Sequence, residues 1–125
     1  MGRRVQAEAR LQRVAIEWLR SLATERGDIL SFHVPNNVWT DKRTAARLEA
    51  EGVEAGVADI VVLFPGGRTA FIELKVKGRY QSKAQKAFQA TCRALGHHYH
   101  LCVCAHEYEV VPQLTGFLAA HGYEA

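Results

Sequence analysis

No stretch of the chain approaches the roughly 20 consecutive apolar residues that span a bilayer, and Met1-Gly2-Arg3-Arg4 leads into an amphipathic pattern, not an apolar signal core. A membrane span is therefore not expected, and a cytosolic protein is. Cysteine is scarce. Cys92, Cys102 and Cys104 make an odd set without a secretory signal, which argues against a disulfide framework and for reduced thiols. Cys102 and Cys104 alternate as on a strand, too close together for half of a structural zinc site, and read as small buried hydrophobes. There is no G-x-x-x-x-G-K-[ST] loop and no G-x-G-x-x-G turn after a strand, which removes support for a phosphotransferase or nucleotide-binding domain. Repeats, linkers and low-complexity tracts are absent too. The last absence is of one sign of charge. Between Glu73 and Glu107 no acidic residue occurs, while Lys75, Lys77, Arg79, Lys83, Lys86 and Arg93 all fall there. That is a candidate face for a polyanion, and it says more than the net charge of +3.

What is present suits one domain over residues 1–125: 48% hydrophobic and 23% charged residues support a single core, and two domains would each be too small. Leu11, Val14, Ala15, Trp18, Leu19 and Leu22 form a helical stripe, predicting a helix from about Val5 to Glu25 that stops at Gly27, with Trp18 in the core. Ile29 to Val34 reads as a strand broken by Pro35-Asn36-Asn37, and Thr40-Asp41 can cap a modest helix ending before Gly52. Asp59 to Phe64 and Thr69 to Val76 flank Pro65-Gly66-Gly67 at hairpin distance, so they are expected to pair antiparallel. Ser82-Lys83-Ala84-Gln85 has the form of a capping box for a helix that Gly96 ends. Tyr99 to Cys104 follows as a strand, parallel to the Thr69 strand through a crossover. Pro112 suits the first turn of a last helix carrying Leu114, Phe117 and Leu118. The expected architecture is α/β, a mixed central sheet flanked by helices.

Within that plan Asp59 opens one hairpin strand, and Glu73 and Lys75 stand two apart on the other, on one face. Charged residues inside the run Phe71 to Val76 are costly unless they meet a partner or a metal. Phosphodiester hydrolysis would use them. Carboxylates bind a hard cation such as Mg²⁺, which takes oxygen ligands and keeps several waters. The cation polarises a phosphoryl oxygen and acidifies water, and an ammonium orients that water or offsets developing charge. Asp59, Glu73 and the Leu74 carbonyl would hold the metal, and Lys75 would address the water. An E-x-K triplet alone also reads as a surface ion pair, but G-x-x-x-G-x-x-D, hairpin, E-x-K, basic loop and capped helix in that order is far more specific. Glu8 lies roughly 50° from the centre of the first helix's apolar stripe, with Glu17 roughly opposite. Glu8 therefore faces inward, where it could reach the metal directly or through water, and Gln12 could order it.

Glu8-Ala9-Arg10-Leu11-Gln12, Pro35-Asn36, Gly52 to Gly56, Ala58-Asp59-Ile60, Phe71-Ile72-Glu73-Leu74-Lys75 and Ser82 to Gln85 together resemble the virus-type replication-repair nucleases, a branch of the PD-(D/E)XK superfamily. The resemblance runs from about Glu8 to the end of the chain. It implies a restriction-endonuclease-like core, Glu8, Asp59 and Glu73 as metal-site acids, Lys75 as the catalytic lysine and Gln85 as a supporting residue. It also implies Mg²⁺ or Mn²⁺ and a homodimer that cuts branched DNA such as four-way junctions, in the cytosol of a bacterium or a phage-infected host. Ala58 stands where the family has proline, which removes no reacting group.

Other candidates keep two readings. Gln85 could serve the metal site or only the capping box. Lys77, Arg79, Lys83 and Lys86 could follow a DNA backbone or form a solvated face. Asn36 could approach the site or only make the turn, and Trp39 could stack on a base or lie under its loop. His97, His98 and His100 read as surface or loop residues, because neighbours point different ways and no carboxylate stands at ligand spacing. A metal-dependent DNA endonuclease is the leading expectation. The alternative is a nucleic-acid-binding module on a nuclease fold without turnover, against which the intact acids argue.

Overall fold

Leu11, Ala15, Leu19 and Leu22 recur three or four residues apart and all are buried along one stripe of α1 (Arg3–Arg26). Gly27, at φ 70°, ends the helix by donating its N–H to the Ala23 carbonyl at 2.9 Å. In this computed structural model residues 3–35 and 41–125 are described, so Asn36 and Trp39 lie outside the described residues. Trp18 is half-buried and packs against the core, as its place on the stripe predicts.

The sheet has the order β1 (Leu30–His33), β2 (Ile60–Phe64), β3 (Arg68–Val76), β4 (His98–Cys104). The first two pairings are antiparallel and the third is parallel, the mixed sheet expected from hairpin and crossover. Alternation along each strand divides the residues between two layers. Ile60, Val62, Ala70, Ile72, Leu74, Cys102 and Cys104 go to the main core beneath α1 and α4 (Val110–Ala120), where Leu19, Leu114 and Leu118 are fully enclosed. Each such leucine contributes roughly 1.5–3 kcal/mol relative to exposure. On the opposite face α3 (Lys83–Ala94) lays Cys92 and Phe88 over Tyr99, Phe71 and Ala58, a smaller cluster. All three cysteines are free and buried.

Helix ends follow the local sequence. Ser82 Oγ accepts from the Gln85 N–H at 3.1 Å while Gln85 Oε1 accepts from the Ser82 N–H at 2.8 Å, closing the capping box of α3. Asp41 caps α2 (Lys42–Ala50) through Thr44 at 2.7 Å, yet α2 buries no residue among the described ones, with Thr44 and Leu48 only half-buried. Pro112 falls in the first turn of α4 as expected. A 3₁₀ turn, Glu107–Glu109, precedes it and was not anticipated; the Glu109 carboxylate stabilises it by accepting from the His106 N–H at 2.6 Å.

The histidine expectation needs correction. His97 is exposed, but β4 begins one residue earlier than the sequence pattern suggested, so His98 and His100 lie on the strand and are half-buried. His98 stacks on His121 with ring centroids 3.8 Å apart, and His100 on Phe117 at 5.0 Å.

Candidate active site

The hairpin register sets Ile60 opposite Ile72, so one residue further out Asp59 comes beside Glu73 at the open end of the hairpin. Ile72 and Leu74 point into the main core, which sends Glu73 and Lys75 together to the other face. Three charged residues are thereby enclosed: Asp59 is 6% exposed, Glu73 2% and Lys75 7%. Among the described residues the only ion pair is Arg47–Glu51 on the exposed side of α2, so the acids and the amine of the hairpin are close without a closed salt bridge.

Asp59 is pinned from two sides. Its carboxylate Oδ2 accepts from the Leu74 N–H at 2.8 Å. Its carbonyl accepts from the Val34 N–H at 2.9 Å and meets His33 Nδ1 at 2.7 Å. Because a carbonyl can only accept, His33 carries its proton on Nδ1. In an extended strand the N–H and C=O of one residue leave on the same side. The Leu74 carbonyl therefore points to the side from which Asp59 approaches, where β2 has already ended.

Glu73 has the most perturbed chemistry. Burial foremost, then the hydrogen bond and charge of Asp59, push its carboxyl up to about 9; Lys75 pulls the other way and Glu8 adds a smaller push. At neutral pH and without a cation, Glu73 keeps its proton. The same acids help burial to raise the phenol of Tyr99, which lies on their side of the sheet. One carboxylate oxygen of Glu73 and one of Glu8 are buried with no hydrogen-bond partner among the described residues. Glu8 is half-buried and Glu17 exposed, the orientation their helical angles predict.

Those orphaned oxygens test the fit of a metal. Among the described residues no group of three or more histidine, cysteine or carboxylate side chains is arranged to hold a metal ion, at the histidines or here. A hard cation that retains several waters needs less: two carboxylates and a carbonyl meet its preference for oxygen. The residues present fit such an ion, and an unpaired buried carboxylate oxygen is otherwise a cost of about 1–3 kcal/mol or more.

The remaining predicted residues fall around this centre. Gln85 has its side-chain oxygen committed to the cap of α3, the structural one of its two readings. Lys77, Lys83 and Lys86 are exposed and Arg79 half-buried, on the loop after β3 and the first turns of α3. Gly56 ties this region to Asp59. A Cβ at Gly56 would stand 2.3 Å from the Ala84 carbonyl, so only glycine lets the loop before Asp59 lie against the first turn of α3. Two neighbours escaped the sequence reading. His33 could not have been found, because its contact depends on how β1 registers with β2. Tyr80 could have been: an aromatic inside the basic loop, 85% exposed, is a signal for nucleic-acid stacking.

No protein-family model matches the chain, and no curated protein matches it. Solved structures do. One titled "VRR_NUC domain" superposes with a TM-score of 0.59 at 21% identity, covering 94% of this chain and 98% of its own. A second, titled "VRR_NUC domain protein", gives 0.62 at 20% identity over 90% of this chain and 88% of its own. The chain, with its mixed four-stranded sheet and flanking helices, therefore has the fold of these VRR_NUC structures.

Proposed function

We propose that residues 1–125 form one nuclease domain, a Mg²⁺- or Mn²⁺-dependent endonuclease that hydrolyses phosphodiester bonds in DNA. The observation that carries this reading is the enclosure of Asp59, Glu73 and Lys75 together on adjacent strands, with an unpartnered oxygen on Glu73 and another on Glu8. Asp59, Glu73 and the Leu74 carbonyl would hold the ion, and Glu8 would reach it directly or through water. When bound, it supplies Lewis acidity toward a phosphoryl oxygen and an acidified water. Lys75 orients that water and offsets charge as the phosphorus is attacked, and the low dielectric of its site strengthens both effects. Asp59, held through its carbonyl and through Leu74, keeps one ligand in place so that little reorganisation is needed.

Lys77, Arg79, Lys83 and Lys86 would follow the phosphate backbone, and Tyr80 offers a ring to a base. The sequence resemblance extends the proposal to branched DNA as substrate and a homodimer as the working form. Incubating the protein with four-way, nicked and linear DNA, with and without Mg²⁺ or Mn²⁺, tests it, together with a solution mass measurement. Metal-dependent cutting that Glu73→Ala abolishes is the expected result. A Glu73→Ala protein that cuts as well as the parent refutes the assignment, and metal-independent binding without cutting of any substrate would make the domain a binding module.

A further inference from the structure

At the end of the sheet away from Asp59, a second group of titratable side chains has no part in that chemistry. His98 at the start of β4 lies face to face with His121, which ends α4, at 3.8 Å and 22° between ring planes. His97 precedes it, and Arg93 comes from the last turn of α3. From β3, Arg68 donates to the His121 carbonyl and, at 2.6 Å, to the Pro65 carbonyl, and it lies over the Phe64 ring at 4.6 Å. Beside them an open cavity of about 390 Å³ is lined by Arg93, Gly96, His97, His98, Tyr99 and His121. No carboxylate pairs with these cations among the described residues. Asp28, brought to the same end by the turn before β1, accepts instead from the Tyr123 hydroxyl at 2.6 Å.

We propose that this pocket binds a backbone phosphate of a nucleic-acid strand and that the His98–His121 pair takes up a proton as it does so. Burial, and then repulsion from His121, Arg68 and His97, lowers the pKa of His98, so His98 is short of protons when the pocket is empty. An anion in the cavity removes that repulsion, so protonation and phosphate binding strengthen each other. A shared metal ion is disfavoured, because stacked rings do not aim their nitrogens at one point and no third ligand joins them among the described residues. The pocket also has a place in the proposed nuclease, on which its nucleic-acid assignment rests. Helix α3 runs from the candidate active site to this cavity and carries Lys83, Lys86 and Arg93 with no acid. From Lys83 to Arg93 is about 15 Å along the helix, the rise of about four base pairs.

Two measurements on the full chain in EDTA test this. Dimethyl phosphate, monoanionic across the neutral range, is expected to shift the imidazole NMR signals of His98 and His121 and to raise the titration midpoint of His98. Affinity for a labelled duplex is expected to rise about three- to tenfold from pH 7.5 to pH 6. A His98→Gln, His121→Asn variant should lose most of that gain. Arg93→Gln, on the exposed helix surface, should weaken dimethyl phosphate binding by about threefold even if the double variant folds poorly. Unmoved imidazole signals, or an unchanged pH gain in the double variant, would overturn the proposal. Failure of the wild type to cut DNA with metal would end the nuclease reading instead, and the dimethyl phosphate titration would still decide the pocket.

Discussion

Glu73→Gln separates the cost of the buried carboxyl from its use. Glu73 is 2% exposed and its pKa rises from 4.5 in a model compound to about 9 in the fold. Because the folded value is the higher one, the stabilising contribution is complete below about pH 4.5 and is lost as pH climbs toward 9. The limiting slope is about 1.4 kcal/mol per pH unit. Relaxation and water entry reduce it, so the expected loss between pH 5 and pH 8 is roughly 2–3 kcal/mol in metal-free protein. Glutamine keeps the shape and does not ionise. Its amide can leave a donor unpaired at a cost of about 1–3 kcal/mol, so the slope is the quantity to read, not the absolute stability. Urea unfolding in EDTA at several pH values should give a wild-type curve that falls with pH and a Glu73→Gln curve nearly flat over the same interval. Adding Mg²⁺ or Mn²⁺ should restore wild-type stability at pH 8, with release of about one proton per ion near neutrality, and should leave the variant unchanged. Parallel stability curves for the two proteins in EDTA would refute the reasoning, because Glu73 would then not be the group whose ionisation opposes folding.

Lys75→Ala should lower metal-dependent cleavage by about 10²-fold or more while DNA affinity changes only a few fold, as single-turnover assays beside anisotropy would read. Gly56→Ala should cost about 2 kcal/mol or more in urea unfolding and also reduce cleavage, since a Cβ there meets the Ala84 carbonyl at 2.3 Å and the residue sits at φ 79°. Lys83→Gln with Lys86→Gln should reduce the slope of log affinity against log salt by up to about 2, measured on duplex DNA. Ser31→Ala should stabilise the protein by about 1 kcal/mol in thermal unfolding, because the Ser31 hydroxyl is buried without a partner among the described residues.

Much of the fold was legible because its signals are local. The stripe Leu11 to Leu22 specifies α1, Gly27 ends it, and the Ser82–Gln85 box closes atom for atom as its sequence form predicts. The hairpin and crossover then leave the Thr69 strand between an antiparallel and a parallel neighbour, which is where β3 stands. What escaped depends on contacts distant in sequence. Capping signals place α2 but do not reveal that it buries none of its described residues. The start of β4 at His98 rests on partners from β3 and α4, so the imidazole stacks were invisible. Glu8 was legible by helical angle, and Gln85 stayed ambiguous because one side chain suits both a cap and a metal site.

The candidate site was legible for a physical reason that the structure sharpens. In a strand with a period of two, the residues that make β3 stable and the residues proposed to react cannot change places without moving the whole ladder by one register step. Ile72 and Leu74 are locked into the core beneath α1 and α4, and that lock holds Glu73 and Lys75 on the opposite face, enclosed and beside Asp59. Their burial is thus imposed by the apolar neighbours and cannot relax by rotating the strand, which is why the carboxyl of Glu73 answers by holding a proton. A hard cation would exchange that proton for its own charge. Under the proposed function, the stability of the metal-free domain, proton release on binding an ion and DNA hydrolysis would be three consequences of one register.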